Sequence, residues 1–210
     1  ALCGVRQRVG NYPGVTVEKK SGRASIDGRA FDIVDLPGTY SLAPRSLDEM
    51  VAVDVLLGRR QDTPSPDVVL CIVDASNLER NLYLVSQVLE LGLPVVLALN
   101  MTDVAMSRGV SIDADLLTKR LQLPVVEMVA HQGQGLQQLK QALANAADKA
   151  VPARLSPFSE QFQDEVGALE EKIATTGNPW PRFLVERLLL DTGGYIESAG
   201  LPGETDEVLG

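Results

Sequence analysis

Cysteine is almost missing from the 210-residue sequence: only Cys3 and Cys71 occur, far apart and without metal-ligand spacing. That excludes a disulfide framework and a zinc site and fits a reducing compartment, with Cys71 read as a buried thiol. No stretch approaches the ~20 uninterrupted apolar residues of a membrane helix, and no signal peptide opens the chain. Basic residues do not gather in a run and the formal charge is -9, which argues against a nucleic-acid backbone as principal partner. No cluster of His, Cys and carboxylates stands at ligand spacing, so the residues themselves point to no transition-metal centre. These absences predict a soluble cytoplasmic chain, long enough for one domain of ordinary size and a smaller appendage.

What is present is a series of Val, Ile and Leu runs: AFDIVDL (30–36), DVVLCIVDAS (67–76), LPVVLALNMTD (93–103) and LPVVEMVA (123–130). They lack clean alternation, the pattern of parallel strands covered on both faces. Helical patterns lie at 46–58, 81–92, 113–122 and 135–151, so strand and helix alternate and a three-layer α/β sheet is expected. Ahead of the first run, residues 14–36 read as an antiparallel hairpin turning at Asp27-Gly28. Composition shifts near residue 152: Ser156-Pro157 reads as an N-cap pair, and Phe158, Phe162, Val166, Leu169 and Ile173 form one helical face. Another helix is expected after Pro181, and Thr205 with Asp206 and Glu207 would begin a third. The expected domains are 1–151 and a helical 152–210.

Ligands of open parallel sheets sit outside the carboxyl ends of the strands, so the residues after each run carry the chemistry. They are Asp35-Leu36-Pro37-Gly38, Asn100-Met101-Thr102-Asp103 and Ala130-His131-Gln132-Gly133, with Thr16 delivered by the loop in GNYPGVTVE. Alone, Asp-x-x-Gly is a common strand-to-turn transition and Asn-x-x-Asp can be no more than a helix cap. In this order, at successive strand ends, they resemble guanine-nucleotide-binding domains. On that resemblance Asp103 would meet the N1–H and exocyclic amine of guanine, donors that adenine lacks. Asn100 would tie the loops together at the other edge of the ring, and Met101 would lie over the base. Asp35 would hold magnesium through water, Thr16 would bring a hydroxyl to the same ion, and the Gly38 N–H would meet the γ-phosphate. Both phosphate-side loops would loosen once that phosphate is lost.

The stretches RQRVGNYPGVTVEKKSG, VDLPGTYSLAPRSLDE and VDASNLERNLYLVSQVLELGLPVVLALNMTD resemble, more closely still, the cytoplasmic G domain of ferrous iron transport protein B, a bacterial iron-uptake membrane GTPase. The resemblance covers about residues 1–150, and Met in Asn-Met-x-Asp is a habit of that family. It implies a Ras-like P-loop GTPase fold with a helical domain after it, GTP or GDP with Mg2+ as ligands, and slow GTP hydrolysis. It also implies a potassium ion held partly near Gly10 to Tyr12, a membrane iron-permeation domain as partner at the inner face of the bacterial membrane, homo-oligomers, and no nucleic acid.

Two departures stand out. A P-loop reads G-x-x-x-x-G-K-[ST], and no lysine in this sequence follows a glycine. By resemblance ALCGVRQRVG would be the end of the helix after that loop, so the first strand and P-loop would precede Ala1. A gap, rearrangement or swapped element is then expected between the strands FDIVDL and VVLCIVD, and nucleotide binding by these 210 residues alone is expected to be impaired. Ala130 and His131 stand where a Ser or Thr near the guanine carbonyl is usual, leaving a backbone N–H; His131 reads as a loop histidine rather than a catalyst. No glutamine follows Gly38; Thr39 and Tyr40 stand there, so Thr16 and Gly38 are the candidates for positioning the reaction. The alternatives are a soluble GTPase of ribosome assembly or tRNA modification, which usually brings a basic extension rather than DEVGALEEK, and a degenerate non-enzymatic G-domain scaffold.

Overall fold

A computed structural model describes residue 2, residues 7–39, residue 42, residues 47–149, residues 158–175, residue 180 and residues 182–190. The chain divides into two units, Ala1–Leu42 with Ser46–Pro152, and Ala43–Arg45 with Ala153–Gly210.

In the first unit β1 (Gln7–Asn11), β2 (Glu18–Ile26) and β3 (Arg29–Asp35) make an antiparallel sheet in that order. Asp27 (φ 50°) and Gly28 (φ 79°) both turn left-handed, the two-residue geometry whose twist suits a hairpin, where the sequence places it. Strand β1 corrects an expectation. The resemblance places residues 1–10 at a helix end, yet residues 7–11 pair with β2 from Gln7 opposite Gly22 to Asn11 opposite Glu18. The open edge of β2 offers their backbone groups a ladder, and backbone groups must be paired somewhere.

The parallel sheet has the order β4 (Val69–Asp74), β5 (Val95–Asn100), β6 (Val125–Glu127). Helices α1 (Leu47–Leu56), α2 (Leu78–Glu90), α3 (Thr102–Ser107), α4 (Ala114–Leu121) and α5 (Leu136–Ala147) surround it in sequence. β5 is buried from Val95 to Leu99, which explains its unbroken apolar run. Val96 and Ala98 face Leu139, Leu143 and Ala146 of α5 in one core with Ala24 and Ile26 of β2. Each large apolar side chain buried there stabilises the fold by about 1.5–3 kcal/mol. Helix α2 begins earlier than its apolar period suggests, because the Asp74 carboxylate accepts from the Ser76 N–H and hydroxyl, both at 2.8 Å, and winds a 3-10 turn ahead of it. Asp113 caps α4 by accepting from the Leu116 N–H at 2.8 Å.

Among the described residues no ladder joins β3 to β4, so the break expected between these strands is present. The two sheets meet through side chains instead: Phe31 and Ile33 of β3 and Leu70 of β4 pack on the same core. Ile72 of β4, paired with the buried Ala98, is 66% exposed.

In the second unit, α6 (Glu160–Thr175) buries Val166, Leu169 and Ile173, and α7 (Arg182–Leu190) buries Val185 and Leu188. Arg182 pairs with Glu170 at 2.8 Å. α6 starts at Glu160, where the Ser159 hydroxyl accepts from the Phe162 N–H at 3.3 Å. Ser156, Pro157 and the expected helix at 205–207 lie outside the described residues. No described helix is long and apolar enough to cross a membrane.

Cys71 lies in the interior of β4, and burial pushes its thiol up to about 12. The thiolate is the reactive form. Iodoacetamide at pH 8 is therefore expected to leave Cys71 unmodified in the folded chain and to label it fully in denaturant, as read by peptide mass spectrometry.

Candidate functional site

The buried β5 delivers Asn100 to its carboxyl end, and Met101 then turns left-handed (φ 62°) so that α3 can begin at Thr102. A non-glycine residue there costs about 1–2 kcal/mol. That sharp corner places Asp103 in the first helical turn and leaves the Met101 side chain 39% exposed. The loop after β6 is stitched to this corner. The Ala130 N–H donates to Asn100 Oδ1 at 3.1 Å, and the Thr102 hydroxyl donates to the Met128 carbonyl at 3.2 Å. Met128 in turn donates to the Leu99 carbonyl at 2.8 Å, extending the ladder past the strand.

Asp103 is the unusual member. Its Oδ1 is shut off from solvent and meets no donor among the described residues, whereas its Oδ2 lies 3.9 Å from His131 Nε2. A buried carboxylate oxygen without a partner costs free energy unless a ligand supplies the donor. His131 is exposed and its Nε2 lies 3.1 Å from the Gln132 amide nitrogen. Asn100, Met101, Asp103, Ala130 and His131 are thus assembled in one place, with an unsatisfied acceptor among them.

Gly135, to which the sequence drew no attention, fixes the same loop. Its φ is 81°, and a Cβ there would overlap the Glu127 carbonyl oxygen. Val129 and Gln134 close the loop with a backbone bridge, Val129 N–H to Gln134 carbonyl at 3.2 Å. A sequence signal existed, Gly133-Gln134-Gly135, but the close approach that demands the second glycine is visible only in the fold.

The other group lies at the end of β3. Asp35 is exposed at the strand terminus, and Gly38 is exposed with open space where a Cβ would go. Thr16 sits on the loop between Tyr12 and Val17, closed by the Tyr12 N–H donating to the Val17 carbonyl at 2.9 Å. Both segments are anchored on one apolar cluster, Tyr12, Val17, Val51 and Val55, against which Val15 and Leu36 pack. Burial above all, and the charges of Asp62 and Asp35, push the Tyr12 phenol up, while Arg60 opposes them. Thr39 is described; Tyr40 lies outside the described residues.

The chain's first 143 residues match the family model described as ferrous iron transport protein B. It is 44% identical over 179 residues to the Fe(2+) transporter FeoB of Salmonella choleraesuis (strain SC-B67), covering 82% of this chain and 22% of that protein. Against the Fe(2+) transporter FeoB of Escherichia coli (strain K12) it is 47% identical over 146 residues, 68% of this chain and 18% of that protein. The chain therefore spans about a fifth of the length of these relatives. Among solved structures it is similar to the cytosolic domain of the T. maritima FeoB iron transporter in its GMPPNP form, with a TM-score of 0.80 and 34% identity over 98% of this chain and 81% of that one. An S. thermophilus NFeoB N11A mutant bound to mGDP gives 0.76 and 36% over 97% and 76%. The parallel sheet with its flanking helices is that of a Ras-like GTPase.

Proposed function

Since the chain belongs to the ferrous iron transport protein B family, we propose that residues 1–151 are its guanine-nucleotide-reading G domain, that 152–210 are its helical domain, and that the whole protein binds and slowly hydrolyses GTP to regulate iron passage. The observation that carries this reading is the buried, donor-less Oδ1 of Asp103 beside the corner of Asn100 and Met101. A guanine edge brings two N–H donors to one carboxylate; an adenine edge would leave that oxygen stranded. Asn100 spends its own oxygen on the Ala130 N–H and so holds the base-side loops in register. Met101 gives the base a flexible apolar cover, and His131 borders the carboxylate.

On the phosphate side, Thr16 and Asp35 present hard oxygen donors that suit magnesium, and they would hold it with Gly38 N–H turned to the terminal phosphate. The ion, when bound, supplies charge neutralisation where the phosphates are most negative. Potassium belongs to this reading as a second ion near Gly10 to Tyr12, where backbone carbonyl oxygens at the end of β1 and the start of the Thr16 loop would be its ligands. The partners of the whole protein in this reading are guanine nucleotide, its own membrane domain at the cytoplasmic face, and further copies of itself. Family membership sets aside the ribosome-assembly and tRNA-modification alternative.

With no glycine followed by lysine anywhere in the 210 residues, the polypeptide by itself should bind nucleotide weakly. In an NMR titration, excess GDP is expected to shift the Asp103 and Ala130 amides while ADP leaves them in place, and calorimetry should find affinity weaker than micromolar. Micromolar or tighter GDP binding would refute the impairment. Amides indifferent to GDP would refute the guanine reading and favour a non-enzymatic scaffold.

A further inference from the structure

The loop that carries Thr16 is fastened by a cluster of side chains outside the nucleotide-reading residues. Tyr12, at its base, is 1% exposed, yet its hydroxyl has no hydrogen-bond partner among the described residues. The ring, not the hydroxyl, is what its neighbours use. Lys19 Nζ lies over it at 5.3 Å from the centroid and Arg60 Cζ at 4.9 Å.

Both cations are themselves held. Asp62 receives Arg60 Nε at 2.8 Å on one oxygen and Lys19 Nζ at 3.2 Å on the other. Burial raises the Asp62 carboxyl's affinity for a proton, but the hydrogen bonds from Lys19 and Arg60 outweigh it and hold the carboxyl below its usual range. Lys19 also donates to the Asp62 carbonyl at 2.8 Å and to the Thr63 hydroxyl at 2.6 Å, and Arg60 reaches the Pro13 carbonyl at 3.2 Å. The Arg60, Lys19 and Asp62 side chains are only 14%, 23% and 24% exposed, so solvent screens their interactions less than those of a surface pair.

We propose that Tyr12 is a positioning residue for Thr16: its ring, gripped by Lys19 and Arg60 on the shared Asp62 carboxylate, latches loop 12–17 to segment 60–63 and keeps it ordered without nucleotide. The latch then sets the placement from which the loop would tighten on a phosphate at Thr16 and to which it would loosen when that phosphate is lost. The importance of Thr16 rests on the function proposed above; the latch does not, and it can be tested with no nucleotide present.

Hydrogen exchange of the nucleotide-free 210-residue chain, followed by mass spectrometry, reads the opening of the loop. The Tyr12 and Val15 amides should be protected in the wild type. Tyr12→Phe keeps the ring and should leave exchange unchanged. Tyr12→Leu keeps apolar packing against Val17, Val51 and Val55 but removes the ring face, and should speed exchange of residues 12–17 roughly tenfold, the scale of two partly desolvated cation–π contacts. Peptides from α1 and β5 should not change. The double variant Lys19→Met, Arg60→Met should reproduce the effect, and it decides the matter if Tyr12→Leu also loosens α1. A wild-type loop without protection, or cation-free and Leu variants that exchange like the wild type, would overturn the latch whatever GDP does. A failure to bind GDP with the latch intact would instead count against the nucleotide reading alone.

Discussion

Asp103→Asn is expected to lower guanine-nucleotide affinity roughly a hundredfold, in a form of the protein that also carries a phosphate-binding loop, and to transfer preference to xanthosine nucleotides. On the proposed reading the carboxylate would offer guanine two acceptors, one of them the buried Oδ1 that meets no donor among the described residues. An amide keeps one acceptor and turns an N–H2 toward a base edge that already carries donors. The loss of a charge-assisted hydrogen bond and the donor-to-donor clash together amount to about 3 kcal/mol. Xanthine carries a carbonyl where guanine carries its amine, so the new amide finds a partner there. Competition between labelled GDP and xanthosine diphosphate would read the exchange of preference directly. Unchanged GDP affinity in the variant would remove Asp103 from the base site. The fold should tolerate the change, because Oδ1 holds nothing in place.

Gly135→Ala is the substitution expected to cost most stability. At φ 81° any Cβ is strained, and here it would also drive into the Glu127 carbonyl, which is backbone and cannot step aside without displacing β6. Left-handed strain of about 1–2 kcal/mol adds to overpacking of about 1–3 kcal/mol, so a loss near 3 kcal/mol is expected. In a unit of this size the thermal midpoint should fall by about 6–12 °C, measured by circular dichroism. Gly133→Ala makes the useful control. Gly133 is also left-handed (φ 71°) but has nothing within 4 Å of a would-be Cβ, so only the backbone strain should register. Equal midpoints for the two variants would mean that the close approach at Gly135 does not matter.

The strand at 95–100 was legible because burial on both faces leaves a continuous apolar run; those at 29–35 and 69–74 carry apolar runs too, although β3 has no fully buried residue and Ile72 of β4 is exposed. The corner Asn100 to Asp103 was legible because its parts are adjacent in the chain. The Asp27-Gly28 turn was legible for the same local reason. What was hidden depends on partners distant in sequence. β1 carries no apolar run and exists because β2 has a free edge to pair with. The three-residue β6 was overestimated because apolar residues continue past the ladder into Met128 and Val129, which are buried without being strand. Helix α6 begins at Glu160, after Phe158, with Ser159 taking the Phe162 N–H. The Tyr12 cluster was invisible, since Lys19 and Arg60 are 41 positions apart, one on a strand and one in the segment after α1.

The missing ladder between β3 and β4 has a consequence for how the polypeptide behaves in a tube. Among the described residues each of these strands keeps a row of amide and carbonyl groups without a strand beside it, and Ile72, 66% exposed, adds an apolar handle to one of them. Such edges are templates for pairing between molecules. What opposes that is the formal charge of -9, a repulsion that acts at a distance. Salt near 1 M shortens its reach to about 3 Å and leaves the edge hydrogen bonds untouched. Colloidal stability is thus borrowed from electrostatics rather than built into the sheet, and dilute, low-salt buffer is where the isolated chain keeps its own company least.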